Sequence, residues 1–171
     1  MFKKRLFMMM VLTGCLITLQ AQTYPPKDTP QLEFALQLRV HIDQAYSVGD
    51  TPHGKRLVIP ITGGTFEGPS IKGTILNGGA DWQLAKGDRT EIEAIYSIKT
   101  DDGVYIHIRN CGIIASGKDE QGRPQFYFRA APKFEAPEDS KYAWLNNSLF
   151  LCQPDFSAGF KGIVLNVWRV K

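Results

Sequence analysis

The residues with chemical potential in this chain are a few polar groups set among apolar and aromatic ones. Asp81 follows Gly78-Gly79-Ala80 and precedes Trp82. A carboxylate at the start of an apolar strand is costly to bury unless it is paired or hydrogen-bonded. An inward-facing Asp81 is therefore a candidate general acid or base. Asn110 falls on the same face as Val104, Ile106 and Ile108, so that apolar face ends in an amide. Tyr127 and Arg129 alternate with Phe126 and Phe128, and Arg129 offers a partner for Asp81. Asn146 closes the run Tyr142-Ala143-Trp144-Leu145-Asn146 and places a second amide beside aromatics. The expected site has Asp81 as acid or base, with Asn110, Asn146 and Arg129 orienting or polarising a carbonyl or hydroxyl. Trp82, Tyr96 and Trp144 form its apolar wall. Apolar walls with a few convergent polar groups are how small-molecule cavities are built. Isomerisation or elimination suits such a set, because one tuned carboxylate and one polarising donor suffice without a cofactor. The plainer alternative has Asp81 and Asn110 capping turns and Arg129 on the surface. A non-catalytic ligand carrier and a structural envelope protein with a filled interior are the competing functions.

Other chemistries find less support. His41, His53 and His107 are the only histidines, and no two share metal-ligand spacing, so no metal site is expected. There is no Gly-x-Ser-x-Gly nucleophile motif. Thr62-Gly63-Gly64-Thr65 is glycine-rich, but no helix follows to hold a phosphate. Cys111 and Cys152 form a disulfide if their strands are neighbours, since bridging requires Cα atoms roughly 4.4–6.8 Å apart; two small buried thiols are the alternative.

The elements that must position these residues are strands. Leu32, Phe34, Leu36, Leu38, Val40 and Ile42 alternate with polar residues, the period of a strand with one buried face. Lys55–Thr62 is a second strand, in which Pro60 points to an edge or a bulge. Gly63-Gly64 and Gly68-Pro69 bend the backbone on either side of Thr65-Phe66-Glu67. Further strands run over 71–76, 80–85, 90–100, 104–115, 125–134, 147–152 and 162–170, and Asp101-Asp102-Gly103 makes a tight hairpin. Residues 142–146 suit a single helical turn. Both faces of the last strand are largely apolar, so it is expected to be covered on both sides. The fold class is all-β: an antiparallel β-barrel of roughly eight to ten strands with short turns, since closure removes the sheet edges.

The N-terminus reads as a leader. Lys3-Lys4-Arg5 precede an apolar run from Leu6 that continues to Leu19, followed by Gln20-Ala21-Gln22, the pattern of a secretory signal peptide over residues 1–21. Leu12-Thr13-Gly14-Cys15 is a competing lipobox that would anchor the chain through a lipidated Cys15; cleavage near Ala21 is favoured. Residues 22–30, rich in proline, form a stiff linker, and 31–171 form a single barrel domain. The expected location is periplasmic or extracellular. The chain has 20 Lys+Arg against 17 Asp+Glu, and three of the 20 are Lys3, Lys4 and Arg5, so the remaining chain is neutral. Neutrality without a basic stripe argues against a nucleic-acid partner. No stretch beyond the leader reaches the ~18 apolar residues of a membrane span. With 43% hydrophobic and 22% charged residues, the composition is that of a folded domain rather than a disordered one.

Several motifs occur in a family's order: Gly63-Gly64-Thr65-Phe66-Glu67-Gly68, Gly73-Thr74-Ile75-Leu76, Gly78-Gly79-Ala80-Asp81-Trp82, Arg109-Asn110 with Gly112, Tyr127-Phe128-Arg129, and Tyr142-Ala143-Trp144-Leu145-Asn146. Over about residues 31–171 the chain resembles the domain-of-unknown-function 3237 family, also called uncharacterised protein family 0311. The resemblance implies an antiparallel β-barrel and no established activity. By motif it carries over Gly79, Asp81, Trp82, Asn110, Arg129, Trp144 and Asn146 as recognisable positions. Cys111 and Cys152 depart from the pattern.

Overall fold

The computed structural model describes residues 28–171, so the leader, Cys15 and the linker up to residue 27 lie outside the described residues. Ten strands account for most of the rest: β1 (Leu32–Ile42), β2 (Tyr46–Thr51), β3 (Gly54–Gly68), β4 (Ile71–Ile75), β5 (Gly79–Lys86), β6 (Arg89–Thr100), β7 (Tyr105–Lys118), β8 (Pro124–Glu135), β9 (Phe150–Pro154) and β10 (Ile163–Val170). The sheet runs β1-β10-β9-β8-β7-β6. The next position is shared by β4 and β5, each pairing β6 on one side and β3 on the other. β3 then pairs back to β1, which closes an antiparallel eight-stranded barrel.

Closure depends on the length of β3. Residues 55–61 pair with β5, and residues 64–68 pair with β4. Gly63 and Gly64, both with φ near +137°, stand where the first half gives way to the second. The pair therefore bends the strand instead of ending it, and β3 extends beyond the expected Lys55–Thr62. The register with β1 shifts at the same place, between His41 and Ile42. Pro60 sits beside this bulge, where its missing N–H is tolerated. β2 was not expected from the sequence. It pairs only with β3, and Gly49 and Asp50 within it are poor strand formers.

The barrel interior is the core. Leu36, Leu38, Ile98, Ile108 and Val167 are completely buried. They are inward members of period-two strands, but the single buried face expected over Leu32–Ile42 holds only from Leu36 to Val40: a bulge between Phe34 and Leu36 breaks the alternation, and Leu32, Phe34 and Ile42 are exposed. In β10, Val164 on the outward face is buried as well as Leu165 and Val167, so the strand is covered on both sides over this stretch. A short 3-10 turn at Ala143–Leu145 lies between β8 and β9. It is fastened by Tyr142, whose hydroxyl donates to Asp102 Oδ1 at 2.7 Å across to the β6–β7 turn. Among the described residues no helix is long and apolar enough to cross a membrane.

The structure forms no Cys111–Cys152 bridge. Cys111 pairs with Ala131 and is exposed, whereas Cys152 pairs with Ala130 and is buried. Adjacent positions on β8 face opposite sides of the wall, and β8 itself separates the two cysteine strands, so the thiols cannot meet. Of this pair, only Cys111 is expected to react with a thiol reagent in the folded protein, with Cys152 reacting after unfolding. A native protein in which neither or both react at once would contradict this arrangement.

Candidate functional site

A cavity of about 90 Å³ lies at one end of the barrel interior. Val40, Ile59, Ile61, Ile92, Phe128 and Leu165 form much of its wall, which is almost wholly apolar. Its polar groups are Asp81 and Gln83 from β5, Tyr96 from β6 and Asn110 from β7. Among the described residues no Lys or Arg lines it.

Asp81 occupies a break in the β5–β6 ladder. Asp81 pairs with Ala94 and Leu84 with Glu91, but Trp82 and Gln83 make no pair with β6. There the Asp81 side chain substitutes for a backbone carbonyl: Oδ1 accepts the Glu93 N–H at 3.1 Å. Oδ2 accepts from Gln83 Nε2 at 2.7 Å. These two bonds answer the cost of a half-buried carboxylate. Burial still dominates and raises the Asp81 pKa above the usual carboxylate value, while the bonds from Gln83 and Glu93 pull it back.

Tyr96 and Asn110 are 4% and 2% exposed. Among the described residues, Tyr96 Oη and Asn110 Oδ1 are the only buried side-chain polar atoms without a hydrogen-bond partner in the protein. Most buried polar groups are satisfied, so two such atoms in one cavity single it out as the candidate site. Asn110 Nδ2 lies 3.9 Å from Cys152 Sγ, a weak contact. Burial pushes the Cys152 thiol up to about 12, so it stays neutral. Burial, with Cys152 and Asp81 nearby, likewise raises the Tyr96 hydroxyl, which remains a neutral donor. Gly79 is needed for this packing, because a Cβ there would run into the Cβ of Tyr96.

The structure brings together three of the seven residues expected from the sequence, Asp81, Tyr96 and Asn110. The other four sit elsewhere. Arg129 is not the partner of Asp81: Phe128 points inward, so Arg129 points out, donating to the Phe128 carbonyl at 2.7 Å and lying over the Tyr127 ring. Trp82 follows Asp81 and for the same reason faces outward, 36% exposed. Trp144 packs on Phe150 under the Arg169 guanidinium, apart from the cavity. Asn146 clamps the backbone of Ala136, accepting its N–H and donating to its carbonyl, both at 2.8 Å. Gln83 was not anticipated, although its position two residues beyond Asp81 puts it on the same strand face. Cys152 is the buried thiol of the alternative to a disulfide, and nothing local in the sequence shows that it lies beneath Asn110.

A larger groove, of about 480 Å³, lies on the outer wall by Trp82 and Arg56. Two of its arginines are already paired, Arg89 with Glu91 at 2.6 Å and Arg109 with Glu93 at 2.5 Å. Both pairs are well exposed and contribute little. The inner cavity, with its unpartnered polar atoms, is therefore the candidate site. Replacing Tyr96 by Phe removes a buried hydroxyl that has no protein partner. The Tyr96→Phe variant is expected to be more stable by about 1 kcal/mol, a few degrees in Tm. A loss of stability in thermal denaturation would mean that the hydroxyl has a structural role.

The model of a family described as a protein of unknown function (DUF3237) matches residues 30–170. A UPF0311 protein of Rhodopseudomonas palustris is 35% identical over 135 residues, spanning 72% of this chain and 88% of that relative. The crystal structure of a β-barrel-like protein from Acinetobacter baumannii superposes with a TM-score of 0.74 at 32% identity, covering 87% of this chain and 100% of the other. An enzyme from Penicillium herquei shares the fold at 23% identity, with a TM-score of 0.66 over 85% of this chain and 98% of that one.

Proposed function

The chain belongs to the DUF3237 family of proteins of unknown function, and we propose that its barrel binds a small organic ligand and acts on it by cofactor-free acid/base chemistry of the isomerase or lyase type. The observation that carries this reading is the convergence of Asp81 with the unpartnered Tyr96 and Asn110 atoms in one apolar cavity. In that mechanism Asp81 removes a proton from a carbon next to a carbonyl. The Tyr96 hydroxyl donates to the carbonyl oxygen as negative charge develops there, the role of an oxyanion donor in a low-dielectric site. Where the substrate has a β,γ double bond, Asp81 then returns the proton to the γ-carbon as the dienolate collapses to the conjugated carbonyl. Where it has a leaving group on the β-carbon, the enolate expels that group, which departs with the Asp81 proton and regenerates the carboxylate. A pKa raised by burial suits Asp81 to both steps, since transfer is most efficient when the acid's pKa approaches the working pH. Gln83 holds the carboxylate in place.

A thermal-shift screen of small organic compounds tests the binding step, because a ligand that prefers the folded state raises Tm by mass action. Hits are expected whose shifts vanish in a Tyr96→Phe, Asn110→Leu double variant that remains folded. Hits that survive in that variant would place binding elsewhere.

The proposal includes export to the periplasm or beyond, supported by Lys3-Lys4-Arg5 and the apolar run that follows. The intact mass of the processed protein is expected to correspond to a chain beginning at Gln22. A diacylated chain beginning at Cys15 would overturn cleavage after Ala21.

A further inference from the structure

We propose that the cavity is selective for small uncharged hydroxycarbonyl compounds, the carbonyl accepting from the Tyr96 hydroxyl and the ligand hydroxyl donating to Asn110 Oδ1. This rests on the reading of the cavity as a ligand site and adds what that site recognises.

Three observations support it. First, charge. Among the described residues no cationic side chain lines the cavity, and the one carboxylate that does, Asp81, already accepts from Gln83 and from the Glu93 N–H. A carboxylate or phosphate entering there would be desolvated beside Asp81 with no counter-charge, which apolar surroundings penalise heavily. Second, hydrogen-bond inventory. A tyrosine hydroxyl donates one proton, and an amide oxygen only accepts. Among the described residues these two are the buried side-chain polar atoms left without a protein partner. The complementary ligand therefore presents one acceptor and one donor. A carbonyl and a hydroxyl on one skeleton meet both demands, whereas an ammonium donates only and leaves the tyrosine proton unanswered. The Cys152 thiol is held neutral by burial and adds no charge of its own. Third, size and walls. A dry apolar cavity of about 150 Å³ takes up benzene, so a cavity of about 90 Å³ admits a smaller group. The wall is aliphatic apart from Phe128 and Tyr96, and Ile42, 42% exposed, stands at the mouth. A short aliphatic skeleton fits, with any remainder passing outward beside Ile42.

Leaving buried polar groups unpaired is how a site rejects analogues that lack a partner. Selectivity should therefore appear in a matched four-carbon series, measured by ligand-observed NMR titration of the folded protein: 3-hydroxybutan-2-one, butan-2-one, butyrate and butylammonium. The hydroxyketone is expected to bind about tenfold more tightly than the ketone, and more tightly still than either ion, since one well-placed hydrogen bond in an apolar site is worth about that factor. Asn110→Leu should reduce the hydroxyketone to the affinity of the ketone. Tyr96→Phe should weaken both. Circular dichroism of the variants checks that each is folded.

Butyrate or butylammonium binding as tightly as the hydroxyketone would overturn the proposed selectivity and leave the cavity a ligand site of another class. So would a hydroxyketone affinity unchanged in Asn110→Leu. Silence from all four probes, with hits from the wider thermal-shift screen, would likewise remove only the ligand class. Silence in both experiments would remove the ligand site itself.

Discussion

Gly64→Ala is expected to cost about 3 kcal/mol or more and to lower Tm by ten degrees or so, because two penalties coincide there. The residue sits at φ +137°, a conformation that side chains rarely adopt. A Cβ at that position would also run into the Arg39 carbonyl oxygen across the β1–β3 seam. Gly64 pairs with Val40 on one side and Ile75 on the other, so neither neighbour can move without opening a ladder. This is the seam that closes the barrel, and closure is what buries the interior of β1. Gly87→Ala serves as the control. It too has positive φ, +61°, but nothing lies within 4 Å of a Cβ built there. Its cost is expected to be about 1 kcal/mol, the conformational penalty alone. Equal losses for the two variants in urea denaturation would show that the close approach at the seam contributes nothing.

Asp81→Asn is expected to separate stability from activity. The native pKa of Asp81 is raised above its reference of 3.8, so between the two values the folded state holds the proton more firmly than the unfolded chain. Stability from this group is greatest below the unfolded value, falls as pH rises through the folded one, and stays low at neutrality. Asparagine never ionises. It keeps an oxygen to accept the Glu93 N–H, and the Gln83 amide turns to offer its own oxygen. The variant should therefore exceed the wild type in Tm at pH 7, and the advantage should disappear near pH 4 and below. Turnover of any substrate found should fall by about 10²–10⁴-fold with binding retained, the usual contribution of a positioned acid or base. A variant that is less stable at pH 7 would show that the charged carboxylate stabilises the wall. Unchanged turnover would remove Asp81 from the chemistry.

Much of the fold was legible in the sequence. The alternation from Leu32 to Ile42 predicts β1, and the Asp101-Asp102-Gly103 turn predicts the β6–β7 hairpin, because each depends only on residues close in the chain. The failures have local causes as well. Tyr46–Thr51 carries Gly49 and Asp50 and is a strand only because β3 lies beside it. Gly63-Gly64 predicts the bend, but the strand does not end at Thr62, because the same positive φ that breaks regular pairing lets it turn a corner and continue to Gly68.

The site divides along the same line. Period two is enough to say that Asp81 and Gln83 share a face, as do Asn110 and Ile108, and that Cys111 opposes Asn110. It is also enough to put Arg129 opposite Phe128, once the inward face of β8 is known. Tertiary structure decided which of these faces meet. Asn110 and Cys152 are 42 residues apart and come within 3.9 Å, across the intervening β8, only because both face the interior of a closed wall. Asp81 reaches the Glu93 N–H only because the β5–β6 ladder lapses at Trp82 and Gln83. Within an unbroken stretch, strand geometry sets the side of the wall that a residue occupies, and a bulge such as the one between Phe34 and Leu36 resets it. Its partners across the barrel follow from long-range register, and register is settled only when every strand pairs at once.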